Sequence, residues 1–448
     1  MGPAEAREWI AGLEILGMRF GLERIEALLA ALGDPQRTAP ALHVVGTNGK
    51  SSTVRLASAA LASQGRRPGA YLSPHIDDWP GRVLIDGAPI GEREFAEAAA
   101  AVRAAAEALD LPGGDAVTQF EALTALAFWA FRRAGVDVLA VEAGLGGRYD
   151  ATNVLKPDAA VILTNVALEH TDLLGETEEA IAGEKLAVCA DGASRLVVGP
   201  LTAAADAAVT GVLARRGLRA LRYGEGLSAS RGEDGLVEVV TPRAAYTGLP
   251  FPLRGAFQRH NLAVALAGAE LMLDAPLEPA PLRAALAGVR VPGRLEVVAG
   301  APPVVLDGAH NPAGMRALVE ELPAVVGPAR PVAAVVSVLA DKDAASMVAS
   351  IAGVADVVVA TRSSHARAAD PAGLARFARA AGVAARVVPQ PEEALAAARD
   401  AAGPAGTVVV AGSLYLLADL RPGLVSGGRE PPARLARARK GMDPTEAN

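Results

Sequence analysis

Aromatic residues are scarce in this chain. Trp, Tyr and Phe number 3, 5 and 8, only 4% of 448 residues. Yet 51% of the chain is hydrophobic, so the core must be built from Ala, Leu and Val. That apolar content excludes a disordered chain, which lacks the residues to bury a core. The single cysteine, Cys189, excludes an internal disulfide framework and a cysteine-rich zinc site. In the apolar run 186–190 it reads as a buried structural thiol. Basic charge is short as well. Lys and Arg number 43 against 50 Asp and Glu, a net charge of −7. This disfavours a nucleic-acid or anionic-membrane surface over the whole chain but leaves room for one local basic pocket. The opening residues MGPAEAREWI carry acids where a secretory leader needs a basic flank. The uncharged stretch 401–418 is broken by Gly403, Pro404, Gly406 and Gly412, so it reads as strand and turn rather than a membrane span. The expectation is a cytoplasmic protein with no nucleic-acid or membrane partner.

What is present is an alternation of strands and helices. Apolar residues at three- and four-residue steps predict a helix over 9–32, with further helices over 52–63, 92–109 and 120–133. Apolar runs at 42–45, 70–72, 136–141 and 159–163 read as strands buried on both faces. The pattern argues an open α/β sheet. Residues 218–253 change character, with a Val-, Thr- and Pro-rich stretch that suggests a small antiparallel portion before a helix at 261–273. GVRVPG at 288–293 has the punctuation of an interdomain link. Beyond it a second strand–helix series begins. The expected organisation is a domain over 1–290, a second over 291–425 and a disordered tail over 426–448.

The strongest motif is VVGTNGKSST, residues 44–53, which follows a strand and opens a helix. Gly46 and Gly49 let backbone N–H groups approach phosphate oxygens, and the helix N-terminus adds partial positive charge. Thr47 and Asn48 complete the turn. Lys50 reaches terminal phosphates as a point charge, and Ser51 or Ser52 offers a hydroxyl to Mg²⁺. The strict phosphate-loop spacing would need glycine where Val44 stands, so this is a shortened variant.

GTNGK after a strand resembles the nucleotide loop of the Mur-ligase superfamily. Further blocks narrow the resemblance to folylpolyglutamate synthase and dihydrofolate synthase: FGLERIEALLAALGDPQ at 20–36, YLSPHI at 71–76, the long block 141–188, RGAFQRHNLAVAL at 254–266, VPGRLEVV, LDGAHNPAGM, LADKD and AGSLYLLADLR. These run in order over nearly the whole chain from Phe20 to Arg421. The resemblance implies a Mur-ligase-like α/β architecture. An N-terminal phosphate-loop ATPase domain with a mostly parallel sheet would be joined to a smaller, Rossmann-like C-terminal domain. It also implies a reaction in which ATP phosphorylates a pteroate or folate carboxylate and L-glutamate attacks the acyl phosphate.

The resemblance further implies roles for single residues. Ser73, Glu142 and His170 would ligate magnesium, one of two ions, and Lys185 would be carbamylated near the second. Glu142 independently stands at the C-terminal end of a parallel strand, where open sheets place their crevice. Asn261 would bind adenine, Arg294 the phosphates and Asp307 the ribose, with His310 near the phosphates. Lys50, His170 and Lys185 would be the catalytic set. Thr118, Gln119, Phe120 and Glu121, with Arg148, Tyr149, Asp150 and Gln258, match pterin-side segments. Asp341 and Lys342 read equally well as a charged loop.

The chain departs from the family pattern at Ser51, where glycine is usual, and at Glu169, where Asp is usual. WPGRV at 79–83 and Tyr149 depart on the folate side. The leading expectation is an ATP-dependent ligase joining L-glutamate to dihydropteroate, a folate or both. A Mur-type ligase on another carboxylate and a nucleotide-binding protein without ligase activity remain as alternatives. With two domains forming the cleft inside one chain, a monomer is expected.

Overall fold

The computed structural model describes residues 1–17, 19–112, 115–156, 159–193, 195–327 and 329–425. The tail expected to be disordered lies outside them. The apolar runs build two sheets. The larger has eight strands, in the order Ala88–Pro89, Val83–Ile85, Pro68–Tyr71, Val138–Glu142, Ala41–Val45, Ala160–Leu163, Leu196–Val198 and Ala220–Arg222. All neighbours pair in parallel except at the first two strands, which form an antiparallel edge hairpin. Sequence periodicity does not reveal that hairpin. Its signal is Asp86-Gly87, both at positive φ, the two-residue turn that matches strand twist.

Helices cover both faces of this sheet, which is why its strands are apolar throughout. Lys50–Ser63 and Ala256–Leu273 pack together on one face, and Gln119–Ala134 covers the other. The core on the first face is almost wholly aliphatic, with Tyr246 its one fully buried ring. Tyr246 belongs to a small antiparallel sheet of Ser228–Arg231, Val237–Val240 and Ala245–Leu249. A second body follows residues 289–295. Its six-stranded sheet runs Glu296–Val298, Val304–Leu306, Thr407–Ala411, Val332–Val336, Val357–Ala360 and Ala384–Val387, parallel except at the first strand. Among the described residues no helix is long and apolar enough to cross a membrane.

Two sequence expectations are corrected. The helix over 9–32 is broken into Pro3–Gly12 and Glu23–Ala31, because Gly17 and Gly21 take positive φ between them. The helix expected from 261 starts at Ala256, directly after Gly255 at φ 93°, so Asn261 lies in its second turn.

His43, in the central strand, is buried and shares a 2.8 Å hydrogen bond with Thr152 Oγ1. Thr152 Oγ1 donates onward to Asp150, so His43 Nε2–H is the donor. Burial lowers the His43 pKa to about 4, and burial likewise lowers those of His75, to about 3, and His310, to about 4. An unfolded imidazole titrates near 6.5, so between that pH and about 4 these three side chains bind more protons in the unfolded chain than in the folded one. Their contribution to stability is therefore expected to fall as pH drops from 6.5 to 5, against the opposite contribution of buried carboxyls such as Glu142 and Asp307, and the difference in urea midpoint between wild type and His43→Gln isolates the part due to His43. His43→Gln should flatten that dependence; an unchanged slope would show that His43 is already protonated in the fold.

Candidate active site

The loop 46–49 leaves the central strand Ala41–Val45 and opens the helix Lys50–Ser63. Its conformation is dictated by close neighbours. Gly46 has φ 143°, and a Cβ there would lie 1.9 Å from Thr164 Oγ1. Gly49 has φ 84°, and its Cβ would lie 2.5 Å from Asn261 Oδ1. Thr47 N donates to Asn165 O, Asn48 N to Asn165 Oδ1, and Thr164 Oγ1 to Asn48 O. Lys50 folds back, donating to Gly46 O at 2.9 Å and Thr47 O at 3.1 Å.

Glu142 ends the neighbouring parallel strand, as open sheets place their ligand-binding residues. The residue is only 2% exposed. Ser51 Oγ donates to Oε1 at 2.9 Å and Ser73 N to Oε2 at 3.1 Å. Desolvation pushes its pKa up, against the attraction of Lys50. Beyond it lies a buried ion pair: Lys185 Nζ donates to Glu169 Oε1 at 2.7 Å. Burial opposes the charge on both residues. For Glu169 the fields of Lys185 and Lys50 prevail and hold its pKa at about 2, whereas desolvation prevails at Lys185 and lowers it.

The C-terminal body supplies the facing wall. Arg294, Asp307, His310 and Lys342 line the cleft. Asp307 accepts from Leu295 N and Ala309 N, which braces the loop around it. His310 Nδ1 donates to Gly308 O, leaving Nε2 as an acceptor, and burial keeps the ring neutral. Two of the contacts that join the bodies lie at this cleft. Asn48 and Asn311 exchange amide hydrogen bonds at 3.0 and 3.3 Å, and Lys342 Nζ donates to His170 Nε2 at 3.1 Å. His170 holds φ 46° at the start of a short helix.

These residues surround one cleft of about 430 Å³. It gathers Gly46 through Ser52, Ser73, Glu142, His170, Lys185, Asn261, Arg294, Asp307 and His310. Lys342, read equally well as a charged loop in the sequence, belongs to it. The pterin-side candidates are not brought there. Thr118 and Glu121 form a capping box, and Glu121 pairs with Arg24, 97 residues earlier. Gln119 donates to Ile10 O, and Phe120 packs on Gly144 and Tyr71. Arg148 pairs with Glu184, and Asp150 braces Leu145 N and Thr152. Tyr149 is half exposed against Phe20. Gln258 sits behind Asn261, accepting from its amide. Sequence reasoning missed Asn165 as a loop clamp and Asn311 as a bridge; Asn311 shows in the sequence only as a helix cap.

The donor set fits magnesium. Glu142 offers hard carboxylate oxygens without an ion-pair partner among the described residues, and the Ser52 hydroxyl of the same cleft lining is buried with no hydrogen-bond partner. No three His, Cys, Asp or Glu side chains gather into a cage among the described residues. That suits an ion held by one carboxylate, hydroxyls and substrate phosphates.

Residues 293–414 match the family described as Mur ligase, glutamate ligase domain. The chain is 36% identical over 413 residues to a folylpolyglutamate synthase of Lacticaseibacillus casei, covering 90% of this chain and 94% of that relative. The structure of Mycobacterium tuberculosis folylpolyglutamate synthase complexed with ADP and AMPPCP superposes with a TM-score of 0.86 at 32% identity, covering 96% of this chain and all of that one. A bifunctional folylpolyglutamate synthase/dihydrofolate synthase with Mn, AMPPNP and L-glutamate bound gives a TM-score of 0.81 at 32% identity, over 94% and 98% of the two chains. Fold, cleft and likeness over nine-tenths of its length agree, and the chain belongs to the folylpolyglutamate synthase/dihydrofolate synthase family.

Proposed function

We propose that the chain uses ATP to ligate L-glutamate to dihydropteroate, to a tetrahydrofolate glutamate, or to both, releasing ADP and phosphate. The observation that carries this reading is the convergence of cationic groups from both bodies on one cleft at the phosphate loop. A carboxylate and a triphosphate repel each other, and Lys50, Arg294 and Lys342 lower that barrier. The backbone of 46–50 would cradle the phosphates, as glycine loops at helix starts do. Asn261 would meet the adenine and Asp307 the ribose.

A magnesium ion would be held by Glu142, Ser73 and the phosphates, and would polarise the terminal phosphate. His170 would join only by giving up the hydrogen bond from Lys342. A carboxylate oxygen then attacks the γ-phosphorus and ADP leaves. The amine of L-glutamate attacks the acyl carbonyl and phosphate leaves. Neutral His310 can hold the amine proton at Nε2. Burial lowers the Lys185 pKa and so favours the neutral amine that carbamylation needs, against the attraction of Glu169. A carbamate there would suit a second ion. The work is done by one chain with its own two bodies, as a monomer in the cytoplasm.

Two outcomes are expected. Phosphate should be released with Mg²⁺, ATP and L-glutamate when dihydropteroate or tetrahydrofolate is added, and not without an acceptor. Release with neither acceptor would return another carboxylate, or a non-catalytic nucleotide-binding role, as the better reading. Lys50→Ala should lower kcat by about 10²–10³-fold, the usual cost of losing one group that stabilises developing charge. Normal turnover in that variant would remove Lys50 from the mechanism.

A further inference from the structure

A second cavity, of about 710 Å³, opens beside the nucleotide cleft and shares Ser51, Pro74, Arg294 and Leu414 with it. Apart from Ser51 and Arg294, none of the residues given a role in the nucleotide cleft lines it. One face of the helix Lys50–Ser63 forms a wall, with Ser51, Arg55, Ser58 and Ala62 at helical spacing. The rest is largely aliphatic, including Leu72, Leu84, Val289 and Val291.

The charges of this cavity are unevenly matched. Asp77 is bound to Arg421 and Asp86 to Arg67, and neither arginine lines the cavity. Arg290 and Arg294 donate to backbone carbonyls of their own segment. Arg55, Arg290 and Arg294 have no carboxylate partner among the described residues. Desolvation acts on Arg55 more strongly than the distant attraction of Glu142 and Asp77. The Ser58 hydroxyl is buried in the same wall without a partner. Removing a guanidinium from water without a partner is costly, so half-buried Arg55, with half-buried Arg294 and exposed Arg290 also lining the aliphatic cavity, suits an anionic, partly aliphatic occupant.

We propose that this cavity binds the γ-glutamyl tail of a polyglutamylated acceptor, with Arg55 pairing with an α-carboxylate of the tail. Each γ-linked glutamate carries one α-carboxylate and a two-carbon methylene stretch, matching a guanidinium fork beside aliphatic walls. The terminal γ-carboxylate then enters the nucleotide cleft past Ser51, whose hydroxyl is at the junction. This inference rests on the ligase reading.

The test compares dihydropteroate with tetrahydrofolate triglutamate as acceptors for wild type, Arg55→Met and Arg55→Lys. Arg55→Met should raise KM for the triglutamate by about tenfold or more, with Arg55→Lys intermediate, while KM for dihydropteroate stays within about twofold. An unchanged triglutamate KM, or equal losses on both acceptors, would overturn the proposal and leave the ligase reading standing. If wild type turns over dihydropteroate alone, equilibrium dialysis of the triglutamate with AMPPCP present decides. Binding weakened about tenfold by Arg55→Met supports the tail site, and absence of binding overturns it. Wild type inactive on every acceptor overturns both readings.

Discussion

The cleft depends on the pinning of the loop 46–49 from three sides. Thr164 and Asn165 hold it from the segment just after the next strand, Asn261 closes against Gly49 from a helix, and Asn311 reaches it from the other body. A free loop would lose much of its affinity for phosphate to the entropy of ordering. Because the partners come from separate elements, the loop is ordered only when the sheet, its covering helix and the second body are all in place. The charges follow from that arrangement. Glu142, at a strand end, and the Glu169–Lys185 pair, which joins a loop to a helix, have buried side chains at the same cleft, where low polarity strengthens every charge interaction.

The two departures from the family pattern acquire physical content in this setting. Ser51 places a hydroxyl where the family resemblance implies glycine, and that hydroxyl donates to Glu142. It thereby helps orient a carboxylate that desolvation would otherwise leave poorly satisfied. Glu169 reaches Lys185 directly at 2.7 Å, and so opposes the desolvation that lowers the pKa of the residue for which the family resemblance implies carbamylation.

Legibility in the sequence followed how local the constraint was. Gly46, Gly49 and Lys50 could be read because the turn, its close approaches and the helix start lie within a few residues. Glu142 could be read because an apolar parallel strand announces its own C-terminal end. The pterin-side candidates could not be sorted. Glu121 is committed to Arg24 and to capping its own helix, and Asp150 to a chain through Thr152 to His43. Those partners lie about a hundred residues away and leave no periodic trace. The Asn48–Asn311 exchange spans 263 residues and was invisible for the same reason. The cavity at Arg55 is completed by residues 288–292, far along the chain, and no local pattern announces it.

The central claim is that an acceptor carboxylate attacks the terminal phosphate and is then released from it as an activated acyl group. Oxygen transfer tests it most directly. With acceptor carboxylate labelled in ¹⁸O, Mg²⁺, ATP and L-glutamate, mass analysis of the released phosphate should show one labelled oxygen per product formed. Phosphate that carries only oxygen from ATP and unlabelled water would contradict an acyl phosphate, and with it the reading of the cleft as a ligase site.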